Sequence, residues 1–310
     1  MYKLTKYISA GIRYLTNSDY KFKIDSARGK YNDMPDREYL ERRFRAELGK
    51  SLDLDNPRTF NEKLQWLKLY NRKPEYTMMV DKYKVREYIA RTLGEKYLIP
   101  LLGVWDNPDE IDFDALPNQF VLKCNHNSGL GMCICKDKSK LDISKVKAEL
   151  RKGLKENYYI RHREWPYKDV PKKIIAEKYM VDDSGDLKDY KFYCFDGAMK
   201  FLMINTDRNS NKPTKADYFD RDFNWLDFTW GYSHAEVHPE KPEQFEKMVA
   251  IAENLSKGLP HIRVDLYECN GQIYFGELTF FDGAGFDKIE PLEWDYKIGK
   301  MLKLPTSLKQ

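Results

Sequence analysis

Arg263, Asp265, Glu277 and Thr279 alternate within the segment RVDLYECNGQIYFGELTF. The segment reads as a β-hairpin turning near Asn270-Gly271, and its register decides what these side chains do together. A plain two-residue turn separates the two carboxylates onto opposite faces. A three-residue loop, Asn270-Gly271-Gln272, or a bulge, sets Asp265 across from Glu277 and Arg263 across from Thr279. Val264, Leu266, Gly276 and Leu278 then form the other face. A buried sheet enforces one polar and one apolar face, so we expect the second register. Facing carboxylates repel unless a proton or cation sits between them. Mg²⁺, which takes a few carboxylate oxygens plus water and substrate phosphates, answers that need. Arg263 beside it can neutralise a phosphoryl group. A salt-bridged sheet surface with Arg263 pairing Asp265 answers it equally.

A second stretch, LKCNHNSGLGMCICK, reads as strand, small-residue loop, strand. Ser128, Gly129 and Gly131 leave backbone N–H groups able to approach phosphate oxygens, and Lys123 can reach the same anion. No Gly-Lys-Ser/Thr follows, so this is not a P-loop, and an ordinary glycine turn remains the alternative. His126 has no acid or nucleophile nearby in sequence and suits a hydrogen bond or a phosphate contact better than general-base work. In DYKFY, Asp189 and Lys191 share one face of a strand and can form an ion pair. Of the five cysteines, Cys133 and Cys135 also share a face. No second pair or histidine cluster completes a zinc site, so the cysteines read as reduced, buried thiols of a cytoplasmic protein.

The elements that must position these residues alternate between helix and strand. Thr59 and Glu62 form a capping-box signature before FNEKLQWLKLY. MMVDKYKVREYIARTLG reads as one helix, and so do DREYLERRFRAEL, DISKVKAELRKGLKEN, PEQFEKMVAIAENLSKG and a stretch near EWDYKIGKML. QFVLKCN, LGMCICK and KKIIAEKYMV read as strands, and DLKDYKFYCFDGAMKFLMINT as a hairpin turning at Asp196-Gly197. Antiparallel hairpins mixed with helices indicate the α+β class. The chain has 310 residues, and its net charge of +4 is too weak to argue for nucleic acid. No apolar run approaches the roughly 18 residues of a transmembrane helix. MYKLTKYISAGIRYLTN is basic and amphipathic. It reads as an ordinary N-terminal helix, with loose attachment to an inner membrane surface as the alternative.

Taken in order, NPRTFNEKLQWLKLY, DKYKVREYI, YLIPLLGVWD, LPNQFVLKCNHNSG, KKIIAEKYM, DYKFYCFDG and RVDLYECNGQIYFGELTFFDGAGF resemble the ATP-grasp superfamily. The likeness is strongest to its TupA-like branch, associated with teichuronopeptide and other surface-polysaccharide biosynthesis. It implies an ATP-grasp fold: two α+β lobes of mostly antiparallel sheet gripping ATP, behind a helical N-terminal extension. The expected divisions are 1–58 for the extension, 59–117 for a region preceding the grasp, and 118–181 and 182–310 for the two lobes. The resemblance also implies roles. Lys82 and Lys123 would touch ATP phosphates, and the Ser128–Gly131 loop would cover them. Glu177, Lys178 and Met180 would form the adenine hinge. Asp189 would meet the ribose and Lys191 a phosphate. Arg263 would hold the transferred phosphoryl group, and Asp265 and Glu277 would bind Mg²⁺. Many relatives carry Glu-x-Asn where this chain has Glu277-Leu278-Thr279, which implies a looser second ion.

The activity so implied is ATP-dependent joining of a small carboxylate to an amine through an acylphosphate, on sugar- or glycan-linked substrates. The aromatic loop Tyr218 to His234 can contact such an acceptor, or simply pack. Three rivals are a glycosyltransferase, an ATP-dependent sugar kinase, and a degenerate nucleotide-binding module without catalysis, against which Lys123, Arg263, Asp265 and Glu277 argue. The Asp-x-Asp pattern expected of a glycosyltransferase stands in no convincing context: Asp53 to Asp55 precedes a turn and Asp112 to Asp114 reads as loop.

Overall fold

The computed structural model describes residues 10–181, 187–207 and 212–306. The first part of the expected N-terminal helix lies outside the described residues, while residues 10–16 are helical.

Two antiparallel sheets carry the fold. The four-stranded sheet runs β1-β4-β2-β3, from β1 (Leu101–Trp105), β4 (Ile174–Lys178), β2 (Phe120–Cys124) and β3 (Met132–Cys135). The five-stranded sheet runs β10-β9-β5-β6-β7, from β10 (Gln272–Thr279), β9 (His261–Cys269), β5 (Asp189–Phe195), β6 (Ala198–Thr206) and β7 (Lys215–Asp220). A short pair, β8 (Thr229–Trp230) with β11 (Ile289–Glu290), stands apart. The β5–β6 hairpin turns at Asp196-Gly197 as expected, with both residues at positive φ.

The large core lies on the five-stranded sheet. The Phe245–Ser256 helix buries Phe245, Met248, Val249 and Ala252 there. The Phe60–Tyr70 helix starts on the expected capping box: Thr59 N donates to Glu62 Oε2 at 2.9 Å and Glu62 N to Thr59 Oγ1 at 3.3 Å. Its start is pressed against the Leu292–Met301 helix, where Asn61 N donates to Asp295 Oδ1 at 3.0 Å. A smaller core, including Phe120, Leu122, Val146, Leu150, Ile174 and Ala176, fills the four-stranded side.

One helix expectation is corrected. MMVDKYKVREYIARTLG is not continuous: it divides into Glu75–Val80 and Val85–Thr92. Asp81 makes the break. Its Oδ1 accepts the backbone N–H groups of Tyr83 and Lys84 and the side-chain amide of Asn125, satisfying the donors of a new helix start. The break places Lys82 beside the β2–β3 loop, where Lys82 N donates to Asn125 O at 3.2 Å.

The helical extension is clamped to the rest by Arg163. Its Nη2 donates to the carbonyls of Tyr31, Asn32 and Met34, and its guanidinium lies 4.2 Å from the Tyr39 ring centre. The Asp36–Leu48 helix is thereby held beside the Tyr158–His162 turn, where Tyr159 Oη donates to Asp36 Oδ1 at 2.5 Å.

Candidate active site

The hairpin of β9 and β10 realises the expected juxtaposition by a different route. Its turn is two residues long: Gln272 pairs with Cys269, and Asn270 and Gly271 both have positive φ. The three-residue loop is therefore corrected. The register shifts instead at a bulge on Gly276, after which Glu277 faces Asp265 and Thr279 faces Arg263. A Cβ at position 276 would lie 3.1 Å from Asp265 O and 3.0 Å from Tyr267 Cε2, so the bulge favours glycine. Val264, Leu266 and Leu278 are buried on the opposite face.

Cations bind both carboxylates. Arg263 Nη2 lies 2.7 Å from Asp265 Oδ2 and 3.1 Å from Glu277 Oε1. Lys191 Nζ reaches Asp265 Oδ2 at 2.6 Å and Asp189 Oδ2 at 2.5 Å, so the Asp189–Lys191 ion pair of DYKFY is formed and extended to a third member. The salt-bridged reading of the polar face is thus realised, with Arg263 and Lys191 as the cations. Burial pushes the Asp265 carboxyl up against the pull of Arg263 and Lys191. Arg263 stays charged: burial disfavours its cation, but Asp265 and Asp282 outweigh that.

Sequence reasoning missed Asp282. It accepts from Arg263 Nη1 and from the Tyr193 hydroxyl. The turn that carries it holds Gly283, Ala284 and Gly285 at positive φ. Lys68 secures this turn by donating to Ala284 O at 2.7 Å, and burial lowers the Lys68 pKa to about 7. The only signal in the text was the run FDGAGF, whose glycines mark an unusual turn without naming its purpose.

The four-stranded sheet presents the second cluster. Lys123 Nζ sits 2.6 Å from Glu177 Oε2, and Arg86, also missed, approaches Glu177 Oε1 at 3.3 Å. Lys82 Nζ donates to Asn127 O at 2.7 Å and lies 3.7 Å from Glu277 Oε2, joining the two clusters. Desolvation lowers the Lys82 pKa. Lys178 is exposed and Met180 half-buried at the end of β4.

In the β2–β3 loop Ser128 and Gly129 are exposed, whereas Gly131 packs. A Cβ on Gly131 would meet Cys124 Sγ and Gly153 Cα at 2.8 Å each. His126 is buried, with Nε2 near Glu156 O at 3.3 Å. Burial drops its pKa to about 4, so it is a neutral hydrogen-bonded ring. The aromatic loop mostly packs: Tyr218, Phe219, Phe228 and Trp230 are buried, while Trp225 and Tyr232 are exposed. Asp53 and Asp112 each accept backbone N–H groups two and three residues on, so the stretches Asp53 to Asp55 and Asp112 to Asp114 are turns. All five cysteines are free thiols, four of them buried. Among the described residues no helix is long and apolar enough to cross a membrane.

Beyond Arg263 opens a cavity of about 580 Å³. Ser128, Tyr158, Glu164, Tyr167, Glu277 and Asp282 are among the residues that line it.

A family model described as TupA-like ATPgrasp matches residues 62–303. The chain belongs to that family. The expectation of the family and of its fold is thereby met. The match begins after the helical extension. Among curated proteins no relative matches. Similar solved structures include D-alanine–D-alanine ligase from Bacillus anthracis, with 22% identity, 66% of this chain and 57% of that chain covered, and TM-score 0.39. The same enzyme from Helicobacter pylori has 16% identity, coverages of 79% and 69%, and TM-score 0.42. The ATP-grasp ligase PsnB, complexed with minimal precursor, Mg and ADP, has 15% identity, coverages of 83% and 68%, and TM-score 0.35. This chain thus spans 57% of the Bacillus anthracis structure's length.

Proposed function

We propose that this family member is an ATP-dependent carboxylate–amine ligase acting in surface-polysaccharide or teichuronopeptide-type assembly. One observation carries the reading. Arg263 stands where a lysine-bearing cluster on one sheet meets a carboxylate-bearing hairpin on the other, with an open cavity beyond. A side-chain nucleophile is not needed. The carboxylate substrate attacks the γ-phosphoryl of ATP, and an amine then displaces phosphate from the acylphosphate. Catalysis by alignment and charge stabilisation suits a site built of lysines and an arginine.

In this reading Lys82 and Lys123 hold ATP phosphates under the Ser128–Gly129 loop. Glu177, Lys178 and Met180 border the adenine, partly through backbone, Asp189 faces the ribose, and Lys191 steadies phosphate. Gly131 contributes by letting the loop's root pack closely. Arg263 receives the transferred phosphoryl group.

Mg²⁺ fits the donor set at Asp265 and Glu277. Both are hard oxygen donors on one face, with the Thr279 hydroxyl beside Glu277 at 3.3 Å. No group of three or more acidic, histidine or cysteine side chains suited to a metal occurs among the described residues, so phosphate oxygens and water must complete the shell. When bound, the ion would neutralise phosphate charge. The substrates are a small carboxylate and an amine attached to or destined for a glycan. Peripheral contact with an inner membrane or its polysaccharide machinery belongs to the same reading.

The test is nucleotide chemistry with purified protein. ADP release that requires both a uronic acid and an amine supports the ligase. ADP release with a phosphorylated sugar supports a kinase on the same scaffold instead. Hydrolysis of a nucleotide sugar with no need for ATP would overturn the reading.

A further inference from the structure

Glu164 is the one cavity-lining acid whose carboxylate makes no hydrogen bond or ion pair among the described residues, apart from the exposed Asp287 at the rim. It is only 4% exposed. An unpartnered buried carboxylate is costly, and the cheapest relief is a cation delivered into the cavity. The rest of the wall agrees. Five carboxyls line it against three arginines. Arg43 is already tied to Glu47 at 2.8 Å, and Arg263 to Glu277 and Asp282. His162, in the same wall, is kept neutral by burial, with a pKa of about 3. The cavity therefore suits a positively charged guest next to the arginine that would hold the phosphoryl group.

We propose that this cavity is the amine subsite and that Glu164 takes the proton from the incoming ammonium. The proposal rests on the ligase reading. An ammonium cannot attack a carbonyl, because its lone pair is occupied. One N–H proton passes to the Glu164 carboxylate, and the freed pair forms the C–N bond to the acyl carbon of the acylphosphate made from ATP and the carboxylate substrate. The C–O bond to the phosphoryl group breaks, its electron pair leaves on phosphate, and a second nitrogen proton departs with that phosphate. Geometry and burial point to Glu164, and its acidity suits the task. Burial, and then the charge of Asp282, raise its pKa to about 7, against the opposing pull of Lys68, Arg161 and Arg263. The phenols of Tyr158 and Tyr167, the other titratable groups facing it, are both pushed up by burial and stay neutral.

The extension also lines the subsite: Arg43 and Glu47 reach this cavity from the Asp36–Leu48 helix, ahead of the family-matched residues.

Two small nucleophiles separate this role from a structural one. Hydroxylamine is neutral near pH 7 and needs no base, whereas ammonium must lose a proton. The full-length chain is assayed with ATP–Mg²⁺ and a panel of uronic acids, with hydroxylamine or ammonium chloride as acceptor. Glu164→Gln is expected to keep hydroxamate formation while amide formation falls by about 100-fold or more. The wild-type amide rate should rise through about pH 7, and that limb should vanish in the variant. Glu164→Asp should recover part of the amide rate, and it serves as the test if the glutamine variant does not fold. Parallel loss of hydroxamate and amide would overturn the proposal, as would an undiminished amide rate. So would a wild-type chain that makes hydroxamate but no amide, because an amine subsite must admit the smallest ammonium. Failure of the ligase reading looks different: the wild type itself would form neither ADP nor hydroxamate with any uronic acid.

Discussion

Glu164 sets stability against chemistry at a single residue. Its folded pKa of about 7 lies above the unfolded value of 4.5, so the folded state binds the proton more tightly. Stability from this group is therefore full below the unfolded value and lost as pH rises from about 4.5 to about 7. The loss amounts to about 3 kcal/mol. Glu164→Gln should accordingly raise the melting temperature at pH 8 and leave it nearly unchanged at pH 4, a comparison differential scanning fluorimetry makes directly. Glu277 is the opposite case. Its side chain is 35% exposed, so Glu277→Gln should leave thermal stability almost unaltered. ADP formation should nevertheless fall by about 100-fold or more, because a carboxylate facing phosphate charge is lost. A turnover like that of the wild type would remove Glu277 from the metal and phosphate site.

Among the elements, the clamp at Arg163 does most to join extension and lobe. Arg163→Met strips hydrogen bonds from four backbone carbonyls, three of them in the extension, and an ion partner from Asp36, and should destabilise the fold by about 3–5 kcal/mol in urea titration. Trypsin should then cut faster at Arg28 and Lys30, just ahead of the released segment. Nothing local in the text announced this clamp, because its acceptors are main-chain atoms about 130 residues away. The elements that were legible are those whose signals are local: the Thr59–Glu62 cap, the Asp196-Gly197 turn, and the apolar face of the Phe245–Ser256 helix. The facing of Asp265 and Glu277 was also legible, because a one-residue slip would have buried charges. The means was not, since a bulge at Gly276 and a three-residue loop give the same pairing. The break at Asp81 escaped because one of its partners, Asn125, lies 44 residues on, in the β2–β3 loop. Asp282 and Glu164 gain their surroundings only from tertiary packing, so neither stood out.

At the scale of the whole molecule, Lys82, held to the β2–β3 loop beside the four-stranded sheet, stands 3.7 Å from Glu277 of the five-stranded sheet. That is longer than a hydrogen bond and leaves the contact dependent on what lies between the clusters. A nucleotide spanning Lys82, Lys123 and Arg263 would tie both sheets to one ligand. ATP–Mg²⁺ at about 100 times its dissociation constant should then contribute about 2.7 kcal/mol and raise the melting temperature by several degrees. Lys82→Met should abolish most of that shift without unfolding the chain. No shift with ATP in the wild type would count against a nucleotide site here.

The bulge at Gly276 also has a genetic consequence. Of the eleven residues between Asp265 and Glu277, two form the turn, eight form four cross-strand pairs, and Gly276 alone has no partner. Deleting Gly276 should therefore leave every pair from Cys269–Gln272 to Arg263–Thr279 in register and keep ADP formation. Deleting Leu278 should abolish it, because Thr279 would then pair with Val264 and turn away from Arg263. A selection for active chains among single-residue deletions of this hairpin should recover the first and reject the second.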